Sequence, residues 1–173
     1  AEGMEAASAW RRGRGTIVVK PLFGSQGNGV RRLAEVDDLP PPEVLGNVYY
    51  VQEYLRGPAA THFEDWRVFV SAGRVLAAMI RRGETWITNV HQGAAPVAVR
   101  IDDELQRLAL AATRAVGADY AGVDLIRAAD GRLLVLEINS NPAWKGLQSV
   151  TDIDIARTLA DDFLSAVSAG VAS

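Results

Sequence analysis

Residues 119 to 142, Asp-Tyr-Ala-Gly-Val-Asp-Leu-Ile-Arg-Ala-Ala-Asp-Gly-Arg-Leu-Leu-Val-Leu-Glu-Ile-Asn-Ser-Asn-Pro, constrain this chain more than any other stretch. Two largely apolar runs, about 121–128 and 132–139, flank Asp130-Gly131, the strongest short-range signal for a β-hairpin. With those two residues as the turn, Asp124 falls directly opposite Glu137, and Gly122 opposite Asn139. Side chains alternate with period two, so Asp124, Glu137 and Asn139 share one face. A loop two residues longer would make Asp124 a diagonal neighbour but keep the face. Directly opposed Cβ atoms lie roughly 4.5–5.5 Å apart, and like charges there are destabilising, so a cation is expected between the carboxylates.

An Arg, a Lys or a metal ion could supply it. The ordinary reading is a solvated strand face with an arginine bridging the two acids. Two facts favour a metal. The third group offers a neutral amide oxygen, and Asp, Glu and Asn with substrate oxygens form the donor set of Mg²⁺. The neighbours Val123, Leu125, Leu134, Leu136 and Ile138 are too apolar for a casual surface.

The 173 residues, 49% of them apolar, suffice for one substantial core or two small lobes. There is no cysteine, which excludes disulfides and thiolate metal sites. A net charge of −3 gives no general attraction to nucleic acid or to an anionic membrane. No apolar run is long enough to span a bilayer and the start does not read as a signal peptide, so a cytoplasmic protein is expected. All but two of the 18 basic residues are Arg, and the exceptions are Lys20 and Lys145. A Lys kept in such a background can mark a need for a compact ammonium, though chance explains it equally well.

Residues 2–13 read as an Ala-rich helix and Thr16–Lys20 as a strand stopped by Pro21. Leu22-Phe-Gly-Ser-Gln-Gly-Asn-Gly-Val follows, with three glycines in six residues, then a strand at Val30–Leu33. Such glycines let backbone N–H groups approach an anion. Neither the P-loop nor the dinucleotide pattern fits, because no Gly-Lys-Ser/Thr and no helix follows. A flap over phosphates, with Lys20 reaching their oxygens, is one reading; a plain hairpin turn is the commoner one. A short helix near Leu33–Leu39 is expected before Pro40-Pro-Pro, then a strand at Val48–Leu55. Arg56-Gly-Pro-Ala-Ala-Thr reads as the boundary between a small lobe, 1–55, and a large one, 56–173.

Beyond it, Asp65–Val70 and Arg74–Arg82 predict antiparallel strands around Ala72-Gly73, and Thr85–Val90 predicts another. The spacing predicts a helix over 102–116, capped by Asp102 or Asp103 and stopped by Gly117. A last helix starts near Thr151-Asp-Ile-Asp and runs to about Val167, with Ile155, Leu159 and Phe163 inward. His62 and His91 carry no assigned chemistry. The sum is an α+β chain with antiparallel sheets and packed helices.

Val18-Val-Lys-Pro-Leu-Phe-Gly-Ser-Gln-Gly-Asn-Gly-Val, Val51-Gln-Glu-Tyr, Asp65-Trp-Arg, Trp86-Ile-Thr-Asn, Gly122-Val-Asp-Leu and Leu136-Glu-Ile-Asn-Ser-Asn-Pro resemble, in order, the motifs of the ATP-grasp superfamily. Within it they are similar to RimK-type amino-acid ligases, and Asn141-Pro-Ala-Trp-Lys-Gly-Leu-Gln resembles the tetrahydromethanopterin-type glutamate ligases.

That resemblance implies an ATP-grasp fold with nucleotide between two lobes. It implies that Lys20 contacts ATP phosphates and that Gly24, Ser25, Gln26, Gly27 and Gly29 close over them. Gln52, Glu53, Tyr54 and Leu55 would hold adenine, and Asp124, Glu137 and Asn139 would bind two Mg²⁺ ions, for which Mn²⁺ could stand in. Arg67 and Asn89 would sit near the phosphates and the acyl substrate. The family's Asn-x-x-Arg-Gly-Gly run is here Asn89-Val-His-Gln-Gly-Ala, so Gln92 stands for an Arg and Ala94 for a Gly. Family members also carry an N-terminal α/β domain, so the resemblance implies that this chain is a fragment of a longer protein. The implied activity joins a carboxylated acceptor to an amino acid such as glutamate through an acyl phosphate. A nucleotide-binding module without turnover and a kinase share every motif and stay open, and a homo-oligomer is compatible with the sequence.

Overall fold

The structure, a computed structural model, describes residues 2–23, 27–34, 39–57 and 61–171. The chain divides into two compact units, Ala1–Leu55 and Arg56–Ser173.

In the first unit, α1 (Glu2–Arg11) precedes a three-stranded antiparallel sheet of β1 (Ile17–Lys20), β2 (Arg31–Leu33) and β3 (Tyr50–Glu53), with β1 central. Alternation along β1 sends Ile17 and Val19 into a core with Ala7, Leu39 and Leu45, and puts Val18 and Lys20 on the other face. The expected helix at 33–39 is not the arrangement of its ends: Leu33 closes β2, and residues 35–38 lie outside the described ones. The helical turn starts on the third proline instead, at Pro42–Leu45, where Pro is preset for a first turn.

The second unit is built on a five-stranded antiparallel sheet. Its strands are β4 (Phe63–Ser71), β5 (Arg74–Gly83), β6 (Ala95–Ala98), β7 (Tyr120–Arg127) and β8 (Leu133–Asn139), in the spatial order β6-β5-β4-β7-β8. The β4–β5 turn uses Ala72 and Gly73, both at positive φ (47° and 72°), which matches the twist of the strands it joins. One face packs Val68, Val70, Val123, Leu125 and Leu133 against Leu105 and Ala109 of α2 (Asp103–Ala115). That helix is capped by Asp102, whose Oδ1 accepts from the Leu105 N–H at 2.8 Å. The opposite face packs Phe69, Ala77 and Met79 against Leu147 of α3 (Lys145–Gln148) and Ile155 of α4 (Ile155–Val171). What those two short contacts leave uncovered on this second face is the polar ground of the site.

Two expectations are corrected here. The predicted strand at Thr85–Val90 is absent: no strand occupies 84–94, and Val90–Gln92 is one helical turn capped by Asn89. The strand lies further on, as β6, where Pro96 is tolerated because β6 is an edge. Phe163 does not face inward but is 67% exposed, together with Leu164 and Val167. The helix is anchored in this core through Ile155 and Leu159, and among the described residues no later one joins it.

A polar anchor supplements those two residues. The Ser71 hydroxyl donates to Asp162 Oδ2 at 2.7 Å, and Arg74 Nη2 donates to Oδ1 at 2.8 Å. The bonds from Arg74 and then Ser71 hold the Asp162 carboxyl below the ordinary carboxylate range. A depressed folded pKa contributes stability that is present above the unfolded value of about 4 and is lost as pH falls through the folded value. Asp162→Asn is therefore expected to flatten the fall in stability below about pH 4, read from urea melts across pH. An unchanged acid slope would show that this anchor carries no stability.

Candidate functional site

The charged side chains of the uncovered face form a row across four strands. Alternation puts Asp65 and Arg67 of β4, Arg81 of β5, Asp124 of β7, and Glu137 and Asn139 of β8 on it. Register decides who meets whom, and two bulges set the register. In the β4–β5 hairpin the tight turn pairs Ser71 with Arg74, and continuing that register would bring Ile80 opposite Asp65. A slip between Phe69 and Val70 leaves one extra β5 residue, so Arg81 stands opposite Asp65 instead. In the β7–β8 hairpin the loop has three residues, not the expected two. The Ala128 N–H donates to Arg132 O, and Gly131 takes the positive φ (88°) that such loops use. That alone would shift Glu137 off Asp124. A second bulge between Asp124 and Leu125 restores the pairing, with Asp124 opposite Glu137 and Gly122 opposite Asn139. Bulges are characteristic of places where a side chain must be re-aimed.

Among the described residues no cation bridges Asp124 and Glu137; two arginines pair with Asp124 alone, from the side away from Glu137. Arg67 grips Asp124 with two parallel bonds, Nε to Oδ1 and Nη2 to Oδ2, the second at 2.8 Å. Arg81 Nη2 reaches Asp124 Oδ2 at 2.9 Å. Arg81 also binds both oxygens of Asp65, with Nε to Oδ1 at 2.6 Å. Asp65, Arg81 and Asp124 are all buried. Burial opposes ionisation of Asp124, but the Arg67 and Arg81 guanidiniums outweigh it and hold the carboxyl below its ordinary range. Burial pushes Asp65 up against the pull of Arg81 and of the Thr88 hydroxyl, with Asp124 adding to the rise. Burial alone would weaken the charge of Arg81, and the two carboxylates restore it, so its pKa lies above the usual value.

Glu137 stands apart from this network. It is exposed, and among the described residues its neighbour is the Asn139 amide, whose Nδ2 donates to Oε1 at 3.3 Å. Along the row the charges run plus (Arg81), minus (Asp65), plus (Arg67), minus (Asp124), minus (Glu137). The last charge has no ion-pair partner among the described residues, so the open end of the row is left negative. No cluster of three or more His, Cys, Asp or Glu exists among the described residues. A metal here would be held by two carboxylates and an amide.

The segment after β8 covers the middle of the row. Pro142 is buried over Gly122, where a Cβ would come within 2.6 Å of Pro142 Cβ and 3.3 Å of Arg67 Cδ. Only glycine lets the chain after Asn139 fold back over the sheet. Gly122→Ala is expected to lower stability by about 1–3 kcal/mol through overpacking and to displace residues 141–149. A melting temperature within about 1 °C of the unsubstituted chain would contradict that close approach.

The other sequence-predicted residues are placed as follows. Asn89 uses its side chain on the backbone, Oδ1 accepting from His91 N–H at 2.8 Å, and adjoins Thr88 of the Asp65 network. In the first unit, Lys20 stands with Nζ 5.6 Å from the Tyr50 ring centre. Gly27 and Gly29 both take positive φ, and a Cβ at Gly29 would press on Pro21 Cγ at 3.1 Å. Gly24, Ser25 and Gln26 lie outside the described residues. Gln52 and Glu53 end β3, and the Tyr54 N–H continues the sheet to Thr16 O at 3.1 Å, with Leu55 following. Sequence reasoning missed Arg81, because simple alternation from the turn does not bring it to Asp65.

Residues 12–163 match the RimK-like ATP-grasp domain. The tetrahydromethanopterin:alpha-L-glutamate ligase of Methanococcus maripaludis is 40% identical over 155 residues, covering 86% of this chain and 52% of that protein. The protein of the same name from Methanocaldococcus jannaschii is 38% identical over 176 residues, covering 96% and 59%. The chain spans about half the length of these curated relatives. Among solved structures, the ATP-grasp ligase PsnB complexed with minimal precursor, Mg and ADP superposes with a TM-score of 0.69 at 27% identity, over 95% of this chain and 50% of that one. D-cycloserine synthetase DcsG superposes at 0.69 and 20% identity, over 94% and 60%, a likeness of fold.

Proposed function

Because this chain belongs to the RimK-like ATP-grasp family, we propose that it is the nucleotide- and metal-handling part of an ATP-dependent carboxylate–amine ligase. The observation that carries this is the open, uncompensated Glu137–Asn139 end of the charged row. Glu137 and Asn139 fit Mg²⁺, offering hard oxygens whose exposed side faces no protein cation among the described residues. Asp124 fits as a third ligand by sharing an oxygen with its arginines. Bound there, Mg²⁺ would draw the charge of ATP phosphate oxygens and hold them in line with an attacking carboxylate.

The chain's own residues do the rest. Arg67, fixed by Asp124, presents a positioned cation to an acyl phosphate. Arg81 and Asp65 hold Asp124 in place, so the ligand geometry is set before substrate arrives. Asn89, on its capped turn, is assigned to the same acyl substrate. In the Ala1–Leu55 unit, Lys20 and the 24–29 glycine loop are assigned to the phosphates, and 52–55 to adenine. The glutamate ligases it resembles suggest that the amine is glutamate and the acceptor a carboxylic acid. An ATP-consuming ligase works where ATP is, which supports a cytoplasmic location.

The full-length protein incubated with ATP, Mg²⁺, labelled glutamate and a mixture of carboxylic acids tests this. ADP and labelled amide are expected only when acid and amine are both present. ADP with a lasting phosphorylated acid would mean a kinase, and nucleotide binding with no ADP would mean a binding module.

A further inference from the structure

Beside the charged row lies an open cavity of about 710 Å³, lined by Asn141, Pro142, Trp144, Lys145, Gln148 and Ser149 among others. Its chemistry is lopsided. Among the described residues no acidic side chain lines it, and the one charged side chain is Lys145, one of the two lysines in the chain. The other polar groups are largely committed. Gln148 donates through Nε2 to Ile153 O at 2.8 Å and accepts at Oε1 from Ile155 N–H at 3.0 Å, and the Ser149 hydroxyl donates to Gly146 O at 2.7 Å. Lys145 and Asn141 have no bonded partner among the described residues.

The wall is also firm. Leu147 beneath it is fully buried, Trp144 stands edge-on to Phe69 at 6.0 Å, and a Cβ at Gly146 would meet both Val90 methyls at 3.4 Å. Pro142 is shared between this wall and the row, lying over Gly122 next to Arg67. A cavity with one ammonium, one free amide and Pro, Ala and Trp surfaces suits an anion on a short aliphatic stem.

We propose that this cavity is the amino-acid subsite and that Lys145 pairs with the side-chain carboxylate of the incoming amine, selecting an acidic amino acid over its neutral isostere. This rests on the ligase reading above, and deepens it. Discrimination follows from charge: Lys145 is exposed at the open side of the cavity, and its ammonium pairs with a carboxylate, whereas an amide in the same place brings no charge to it.

Calorimetric titration of the whole chain with L-glutamate and with L-glutamine, and separately with ADP and Mg²⁺, tests it. Lys145→Gln is expected to weaken glutamate binding about tenfold or more while leaving glutamine binding, ADP binding and the melting temperature unchanged. Lys145→Arg should retain most of the glutamate affinity. Equal losses for glutamate and glutamine, no loss at all, no saturable glutamate binding by the unsubstituted chain, or weakened ADP binding in Lys145→Gln would each overturn the assignment. The last would make Lys145 a phosphate contact. Failure of the unsubstituted chain to bind ADP with Mg²⁺ would instead count against the ligase reading, so the two failures are told apart.

Discussion

Glu137→Gln is expected to lower ATP-dependent turnover of the full-length protein by more than about tenfold while leaving its melting temperature nearly unchanged. The substitution keeps shape and removes one charge. Glu137 is exposed on β8 and makes no ion pair among the described residues, so the fold loses nothing by it. In the proposed site a divalent cation would lose one of its two carboxylate ligands, the one at the uncompensated position of the row. Retention of a tenth or more of the activity would remove Glu137 from the metal site, and a large fall in melting temperature would give it a structural role instead.

The largest effect on stability is expected at Arg81. Its guanidinium is buried between Asp65 and Asp124 and binds both. Among the described residues, Arg81→Met would leave Asp65 a buried carboxylate with the Thr88 hydroxyl as its remaining partner, beside the like charge of Asp124. Breaking a buried pair from one side costs about 3–5 kcal/mol, because the surviving charge is uncompensated. Urea unfolding of the second unit should show that loss, and adding Asp65→Asn should recover part of it by removing the stranded charge. Arg67→Met should cost less, since Asp124 keeps Arg81. A loss below about 1 kcal/mol for Arg81→Met would mean that water or rearrangement satisfies the two acids.

Much of this architecture was legible in local patterns. Asp130-Gly131 marks the hairpin, and period-two alternation puts Asp124, Glu137 and Asn139 on one face without any knowledge of the rest. The Asp124–Glu137 pairing is present for a reason the sequence does not display. The loop is one residue longer than expected, and a bulge takes the slip back. The same kind of slip on β5 hid Arg81, because a bulge is decided by packing across the sheet and leaves no mark in the run of residue types. The helix at 103–115 was readable from its cap and stripe. Phe163 was misread because period 3.6 says which residues share a helix face, not how far along the helix a neighbour extends. At Thr85–Val90 the β-branched composition suggested a strand, and Asn89 overrode it by taking the His91 N–H into a capped turn. Of the glycine loop, Gly27 and Gly29 show positive φ and Gly29 packs closely on Pro21, features that only the folded chain reveals.

The most direct test of the account is the effect of Mg²⁺ on ADP affinity, measured by calorimetry on the unsubstituted chain and on Glu137→Gln. If the open end of the row holds the metal that carries the nucleotide, Mg²⁺ should tighten ADP binding in the unsubstituted chain, and most of that gain should vanish in Glu137→Gln while metal-free ADP binds both alike. An equal Mg²⁺ gain in the two proteins would contradict it, placing the metal elsewhere than on Asp124, Glu137 and Asn139.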